Sequence, residues 1–178
     1  MSPTLEIIFE TTCVRRVHRD RMLRDLVRTA VLETHYFCYQ SPGAERLIRH
    51  LDKTKVPFAL ATSSSERSVK TKVAAHKELF DLFHHKVMGS TDPEVKFGKP
   101  HPDIFLVAAA RFPDKPEPSK CLVFEDSPHG VTAGIKAGMQ VVMVPDPHLD
   151  KRLTTHATIV LPTLAKFQPE MFGLPAFQ

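Results

Sequence analysis

Short apolar runs alternate with amphipathic stretches along residues 41–178. The apolar runs have the length of buried strands and cover residues 56–61, 86–88, 122–124, 141–144 and 158–161. Between them, apolar residues recur every three or four positions, which predicts helices over residues 43–51, 66–79, 101–111 and 128–137. Strands separated by helices favour a parallel sheet with right-handed crossovers and helices on both faces. The pattern therefore predicts an α/β fold with a doubly wound parallel sheet.

Residues 1–40 differ in composition from the rest of the chain. They contain six arginines, no lysine and no glycine, whereas residues 41–178 contain thirteen lysines and all seven glycines. We therefore expect two parts, an atypical N-terminal segment over residues 1–40 and a core domain over residues 41–178.

Two elements are predicted within the N-terminal segment. The apolar residues 5–9 favour a strand between the strands 56–61 and 122–124, because an empty slot there would expose two strand edges. A plausible amphipathic helix follows, with one apolar face formed by Leu23, Leu26, Val27, Ala30 and Val31.

Composition and charge argue against several classes of function. The 24 Lys and Arg residues are interspersed with 20 acidic residues, so the net charge of +4 does not form the basic block that favours nucleic-acid binding. The three cysteines form no CxxC pair, which argues against a zinc site or a disulfide framework and favours a reducing compartment. No apolar run approaches the roughly 20 residues needed to cross a membrane, and no secretory signal is recognisable. We expect a cytoplasmic protein without a membrane or nucleic-acid partner, while a protein partner stays unknown.

Several polar residues lie at the ends of predicted strands or at the starts of predicted helices. Doubly wound sheets bind ligands at such places. Thr62 and Ser63 follow a strand and precede a helix, whose N-terminal N–H groups suit a phosphate. Lys99 lies between a glycine and a proline ahead of another helix, where it offers a fixed positive charge. Glu125 and Asp126 follow a third buried run, and carboxylate oxygens are ligands that Mg²⁺ prefers. The three motifs together predict a site for phosphate and magnesium.

Each motif alone has a simpler explanation. Hydroxyl groups such as those of Thr62 and Ser63 commonly cap a helix. An isolated lysine is commonly a surface residue, and an adjacent acidic pair is commonly a solvated turn. Their order and their shared position beside strand ends favour a functional site.

The order and spacing of these motifs resemble those of the haloacid dehalogenase (HAD) superfamily. Residues 42–178 are similar in particular to its pseudouridine 5'-phosphatase branch, through PFALATSS, DPEV, GKPHPDIFL, CLVFEDSPHGV, AGMQVVMVPD and FQPEMFGLP. The resemblance implies a HAD-like core and a Mg²⁺-dependent hydrolase acting on a small phosphomonoester, a nucleoside monophosphate-like compound such as pseudouridine 5'-phosphate. It also implies that Thr62 and Ser63 bind phosphate and that Lys99 bridges nucleophile and phosphate. Asp126 would ligate Mg²⁺, with Glu125 assisting through water.

The first motif of that superfamily is absent. Its members end the first strand with Asp-x-Asp-Gly, whose first Asp attacks phosphorus and whose second protonates the leaving oxygen. This sequence contains no Asp-x-Asp. By the resemblance, Glu10 stands at the nucleophile position, Thr12 at the acid position and Cys13 at the glycine. Glu10 is one methylene longer than Asp, and Thr12 has no proton to give near neutral pH.

Two hypotheses follow for the activity of the chain. The first is a phosphatase that uses Glu10 or another group as nucleophile. The second is a non-catalytic relative that binds phosphate or a protein partner without turnover. The resemblance also implies a helical cap after the first motif, for which only about thirty residues are left, so the cap is shortened or missing. The missing Asp-x-Asp favours the second hypothesis, with weak affinity for Mg²⁺ and phosphate and little or no hydrolysis.

Overall fold

The structure, a computed structural model, describes residues 6–9 and 42–178. Six strands form a sheet within these ranges, and every pairing between neighbours is parallel. The strands are β1 (Glu6–Phe9), β2 (Phe58–Thr62), β3 (Lys86–Met88), β4 (Cys121–Glu125), β5 (Gln140–Met143) and β6 (Ile159–Val160). Their order across the sheet is β3-β2-β1-β4-β5-β6. The predicted doubly wound parallel sheet is confirmed.

Helices connect the strands of the sheet. They are α1 (Ala44–Thr54), α2 (Glu66–Val73), α3 (Lys77–Phe80), α4 (Asp103–Ala110) and α5 (Pro128–Lys136). The single helix predicted over residues 66–79 is wrong, because a 3₁₀ turn at Ala74–His76 separates α2 from α3. No helix in the described ranges combines the length and apolar character of a membrane span.

The predicted strand over residues 5–9 occupies the centre of the sheet. Ile8 of β1 is in register with Ala59 of β2 on one side and with Val123 of β4 on the other. The position predicted for this strand is therefore confirmed for Glu6–Phe9. The predicted N-terminal helix, the cap and the boundary near residue 41 lie outside the described residues.

Two hydrophobic clusters cover the two faces of the sheet. Phe58 and Leu60 of β2 pack in one cluster with Leu47 of α1. Ala59, which points to the opposite face of the same strand, packs in the other cluster with Phe105 of α4. Helices on both faces leave the carboxyl edge of the strands open to loops, and this is the edge at which such sheets bind ligands.

Candidate functional site

The turn after β2 carries the first predicted motif. Thr62 is fully buried at the end of the strand, and its side-chain oxygen accepts a hydrogen bond from the N–H of Ser64 at 3.2 Å. Ser65 caps α2, where its hydroxyl oxygen accepts from the N–H of Ser68 at 3.3 Å. Ser63, which lies between them, is exposed. The motif thus combines a buried threonine, an exposed serine and the N-terminus of an eight-residue helix.

Lys99 forms a buried ion pair with Glu125. The ammonium Nζ lies 2.7 Å from Oε1 of the carboxylate, and the side chains are only 6% and 0% exposed. The same Nζ lies 4.5 Å above the ring centroid of Phe105, within the range of a cation–π contact. Lys99 is therefore a positive charge with a fixed position.

The second oxygen of Glu125 holds the loop that follows β4. Oε2 accepts from the N–H groups of Asp126 and Ser127, both at 3.0 Å, and from the Ser127 hydroxyl at 3.1 Å. Gly130 of α5 leaves room for this carboxylate, since a Cβ there would lie 1.7 Å from Oε1. Both oxygens of Glu125 are engaged by protein donors, so its contacts stabilise Lys99 and the loop.

Asp126 follows β4 directly and is half-buried at the same edge of the sheet. Mg²⁺ is typically held by one or two carboxylates together with waters and substrate phosphate. Asp126 is suited to be one such carboxylate ligand. Among the described residues no group of three or more His, Cys, Asp or Glu side chains is placed to hold a metal. The roles predicted for Asp126 and Glu125 at a metal stay predictions.

The loop between β3 and α4 is held by an ion-pair cluster. Arg111 donates through both terminal nitrogens to Asp92, at 2.7 and 2.8 Å, and also to Glu94 at 2.9 Å. The hydrogen bonds from Arg111 lower the pKa of Asp92 below its usual value, although partial burial opposes this effect. The hydrogen bonds to Asp92 and Glu94 in turn raise the pKa of Arg111. The loop that leads to Lys99 is therefore fixed near its start.

The described members of the three motifs lie at one edge of the sheet, as predicted. Ser63 and Lys99 line one small cavity. Thr62 is the last residue of β2, and Asp126 comes directly after β4. The positions of Glu10 and Thr12 lie outside the described residues.

Ser127 and Gly130 also belong to the candidate site, although the sequence motifs did not include them. Ser127 caps α5 by accepting from the N–H of Gly130 at 3.1 Å, and it donates to Glu125. A serine followed by proline at the start of a helix is a recognised cap signature, so the cap was predictable. Nothing in the sequence indicates that the glycine makes room for a carboxylate.

Comparison with known proteins gives a consistent family assignment. A model of the haloacid dehalogenase-like hydrolases matches residues 12–138. A Drosophila melanogaster protein described as a probable pseudouridine-5'-phosphatase is 68% identical over 136 residues, which are 76% of this chain and 59% of that protein. The mitochondrial (DL)-glycerol-3-phosphatase 1 of Arabidopsis thaliana is 50% identical over 163 residues, which are 91% of this chain and 52% of that protein. The chain thus spans little more than half the length of these two relatives.

Solved structures show the same fold at low sequence identity. A HAD family hydrolase from Deinococcus radiodurans, solved with bound phosphate and sodium, has a TM-score of 0.68 and 22% identity, with 96% of each chain covered. A β-phosphoglucomutase from Clostridium difficile has a TM-score of 0.62 and 17% identity, with 94% of each chain covered. The similarity to the Arabidopsis protein covers so much of the chain that it includes residues before 42. The boundary expected near residue 41 stays a prediction.

Proposed function

The chain belongs to the haloacid dehalogenase-like hydrolase family, and on that premise we propose that it binds a small phosphomonoester together with Mg²⁺ at the carboxyl edge of its sheet. The observation that carries this proposal is the buried Lys99–Glu125 pair at that edge, where Lys99 and Ser63 line one small cavity. Desolvated positive charge at such an edge suits a phosphate dianion.

Each motif has a separate part in the proposed binding. Thr62 and Ser63 would bind phosphate oxygens through hydroxyl and N–H groups at the start of α2. Lys99 would neutralise the phosphate charge, while Glu125 keeps its ammonium group in place. Asp126 would hold Mg²⁺, which when bound supplies further charge neutralisation at the phosphate.

The proposed ligand is a nucleoside monophosphate-like compound such as pseudouridine 5'-phosphate. The Drosophila relative at 68% identity supports this choice, while the Arabidopsis glycerol-3-phosphatase supports only the broader class of small phosphomonoesters. A cytoplasmic location is part of the same proposal.

We expect the 178-residue chain to hydrolyse this ligand slowly or not at all. Without Asp-x-Asp it has no aspartate to attack phosphorus at the expected place, and Thr12 does not protonate the leaving group. General acid catalysis alone is typically worth about 10²- to 10⁴-fold in rate. Groups that bind and orient are retained, whereas groups that react are replaced.

A phosphatase assay on the purified chain tests the expected lack of hydrolysis. Pseudouridine 5'-phosphate and glycerol 3-phosphate are supplied with Mg²⁺, and the unmodified chain is compared with Asp126→Asn. We expect release of inorganic phosphate at the background rate from both proteins. Robust Mg²⁺-dependent turnover by the unmodified chain, abolished by Asp126→Asn, would contradict the expected inactivity and establish the chain as an enzyme.

A further inference from the structure

The loop that carries Lys99 is closed by a carboxylate from the helix that follows it. Asp103, the first residue of α4, accepts the N–H groups of Lys96 and Phe97 on one oxygen, at 3.1 and 3.0 Å. Its other oxygen lies 2.6 Å from Nδ1 of His101. One side chain therefore binds the loop on both sides of Lys99.

The same helix contacts the loop and Lys99 at further points. Arg111, just after the last residue of α4, binds Asp92 through two hydrogen bonds. Phe105, in the first turns of the helix, lies under the ammonium group of Lys99. Residues in α4 or directly after it therefore bind the loop both before and after Lys99. Phe105 of the same helix also lies beneath the Lys99 side chain.

Asp103 is ionised at neutral pH and so accepts through both oxygens. Burial opposes the charge, but hydrogen bonds from the N–H groups of Phe97 and Lys96 and from His101 outweigh it and lower the pKa of Asp103. A carboxylate accepting backbone N–H groups forms stronger bonds than a neutral acceptor.

The backbone on the N-terminal side of Lys99 is a glycine, whereas on the other side Pro100 follows and the N–H of His101 donates to the Gly98 carbonyl at 3.0 Å. Gly98 is exposed, and a Cβ added there would meet nothing within 4 Å. Glycine gives the chain more conformational freedom than other residues, and a displacement of about 1 Å can weaken a binding or catalytic contact a hundredfold. A constraint from outside this turn therefore adds to the Glu125 and Phe105 contacts that hold the ammonium group in place.

We propose that Asp103 is a positioning residue that holds the 96–101 loop so that Lys99 reaches Glu125 and a bound phosphate together. This inference rests on the proposed function, because it assigns the purpose of the constraint to phosphate binding. The Arg111–Asp92 pair is the second anchor of the same loop.

Chemical labelling of lysines tests the positioning directly. The full chain is treated with acetic anhydride, and the rate of Lys99 modification is measured by mass spectrometry relative to Lys55, whose side chain is 81% exposed. We expect slow labelling of Lys99 in the unmodified chain and labelling at least about tenfold faster in Asp103→Ala, since all three hydrogen bonds to the Asp103 carboxylate are lost. Asp103→Asn, which keeps an acceptor oxygen for the N–H groups, is expected to restore slow labelling.

A matched control removes a comparable cap elsewhere. Asp150 accepts the N–H of Arg152 at 2.9 Å, outside the Lys99 loop, so Asp150→Ala is expected to leave Lys99 labelling unchanged. Arg111→Gln loosens the second anchor and is expected to accelerate labelling, which gives an independent result if Asp103→Ala does not fold. Unchanged Lys99 labelling in folded Asp103→Ala and folded Arg111→Gln would overturn the inference.

Inorganic phosphate with Mg²⁺ separates this inference from the proposed function. If phosphate slows Lys99 labelling in the unmodified chain and protects Lys99 less in Asp103→Ala, the result supports both the positioning role of Asp103 and the proposed phosphate binding. Faster labelling in Asp103→Ala without any protection by phosphate keeps the positioning of Lys99 but contradicts phosphate binding. Equal protection and equal labelling in the two proteins contradicts the positioning role alone.

Discussion

A buried ion pair such as Lys99–Glu125 is stable only while both partners are present. With side chains 6% and 0% exposed, each charge has little water to replace its partner. Removing one partner of a buried pair typically costs about 3–5 kcal/mol, whereas removing both charges is much less costly. The energetic role of the pair is therefore tested by comparing a single variant with the double variant.

We predict that Lys99→Met lowers the free energy of unfolding by about 3–5 kcal/mol, because Glu125 is left charged and buried. The double variant Lys99→Met/Glu125→Gln is expected to be more stable than Lys99→Met alone. Urea unfolding at neutral pH measures both differences. A double variant less stable than the single one would contradict the view that charge pairing dominates at this position.

The Arg111–Asp92 pair predicts a specific dependence of stability on pH. Because the pKa of Asp92 is lowered in the folded chain, its contribution is present above the unfolded pKa of about 4 and is lost as pH falls through the folded value. We predict that Arg111→Gln is less stable than the unmodified chain at pH 7 and that the difference shrinks below about pH 4.

An exposed arginine provides the control for this pH experiment. Arg152 pairs with Asp150 while its side chain is 89% exposed, so Arg152→Gln is expected to leave the stability nearly unchanged at every pH. Urea midpoints between pH 3 and 7 give the comparison. A constant difference between Arg111→Gln and the unmodified chain across this range would show that the pair does not act through the ionisation of Asp92.

Two serine caps at helix starts differ in one further contact. Ser65 caps α2 only, whereas Ser127 caps α5 and also donates to the buried Glu125 carboxylate. We predict that Ser65→Ala costs about 1 kcal/mol, the usual value of a cap. Ser127→Ala is expected to cost about 1.5–3 kcal/mol more, since a hydrogen bond to a charged group is lost as well. Thermal unfolding of the two variants measures the difference, and equal losses would contradict the contact to Glu125.

The strands were the elements that the sequence predicted best. The apolar run 86–88 is the strand Lys86–Met88, and the runs near β2, β4 and β5 differ from the strands by one or two residues at their ends. Continuous apolar runs identify strands that are buried on both faces, because these have no polar face. The break at Ala74–His76 and the contact of Phe167 with Phe124 were not predictable, since both depend on packing between distant parts of the chain.

The site was predictable in position but not in detail. Thr62 and Asp126 were found because strand ends gather at one edge of a parallel sheet. Asp103 is close in sequence to the loop residues that it binds. Nothing in the residue pattern, however, predicts the direction of its side chain. Arg111 reaches Asp92 across 19 positions, and Lys99 reaches Glu125 across 26, so neither pairing follows from sequence spacing.

The whole sheet depends on β1, which pairs with both β2 and β4. We predict that Ile8→Pro prevents cooperative folding, because proline removes an N–H group in the middle of a central strand. Val160→Pro in β6 is the matched control and is expected to be tolerated, since among the described strands β6 pairs only with β5 and Leu161 donates the hydrogen bond to Met143. Circular dichroism during heating distinguishes them, and a cooperative transition in Ile8→Pro would contradict the central position of β1.

The chain is expected to bind phosphate and Mg²⁺ although the reacting aspartates are replaced. The decisive measurement is titration calorimetry with inorganic phosphate, with and without Mg²⁺, on the unmodified chain and on Asp126→Asn. We predict saturable phosphate binding in the presence of Mg²⁺ that is weakened at least about tenfold, or about 1.4 kcal/mol, by Asp126→Asn. The absence of phosphate binding, or binding that Asp126→Asn leaves unchanged, would contradict the claim.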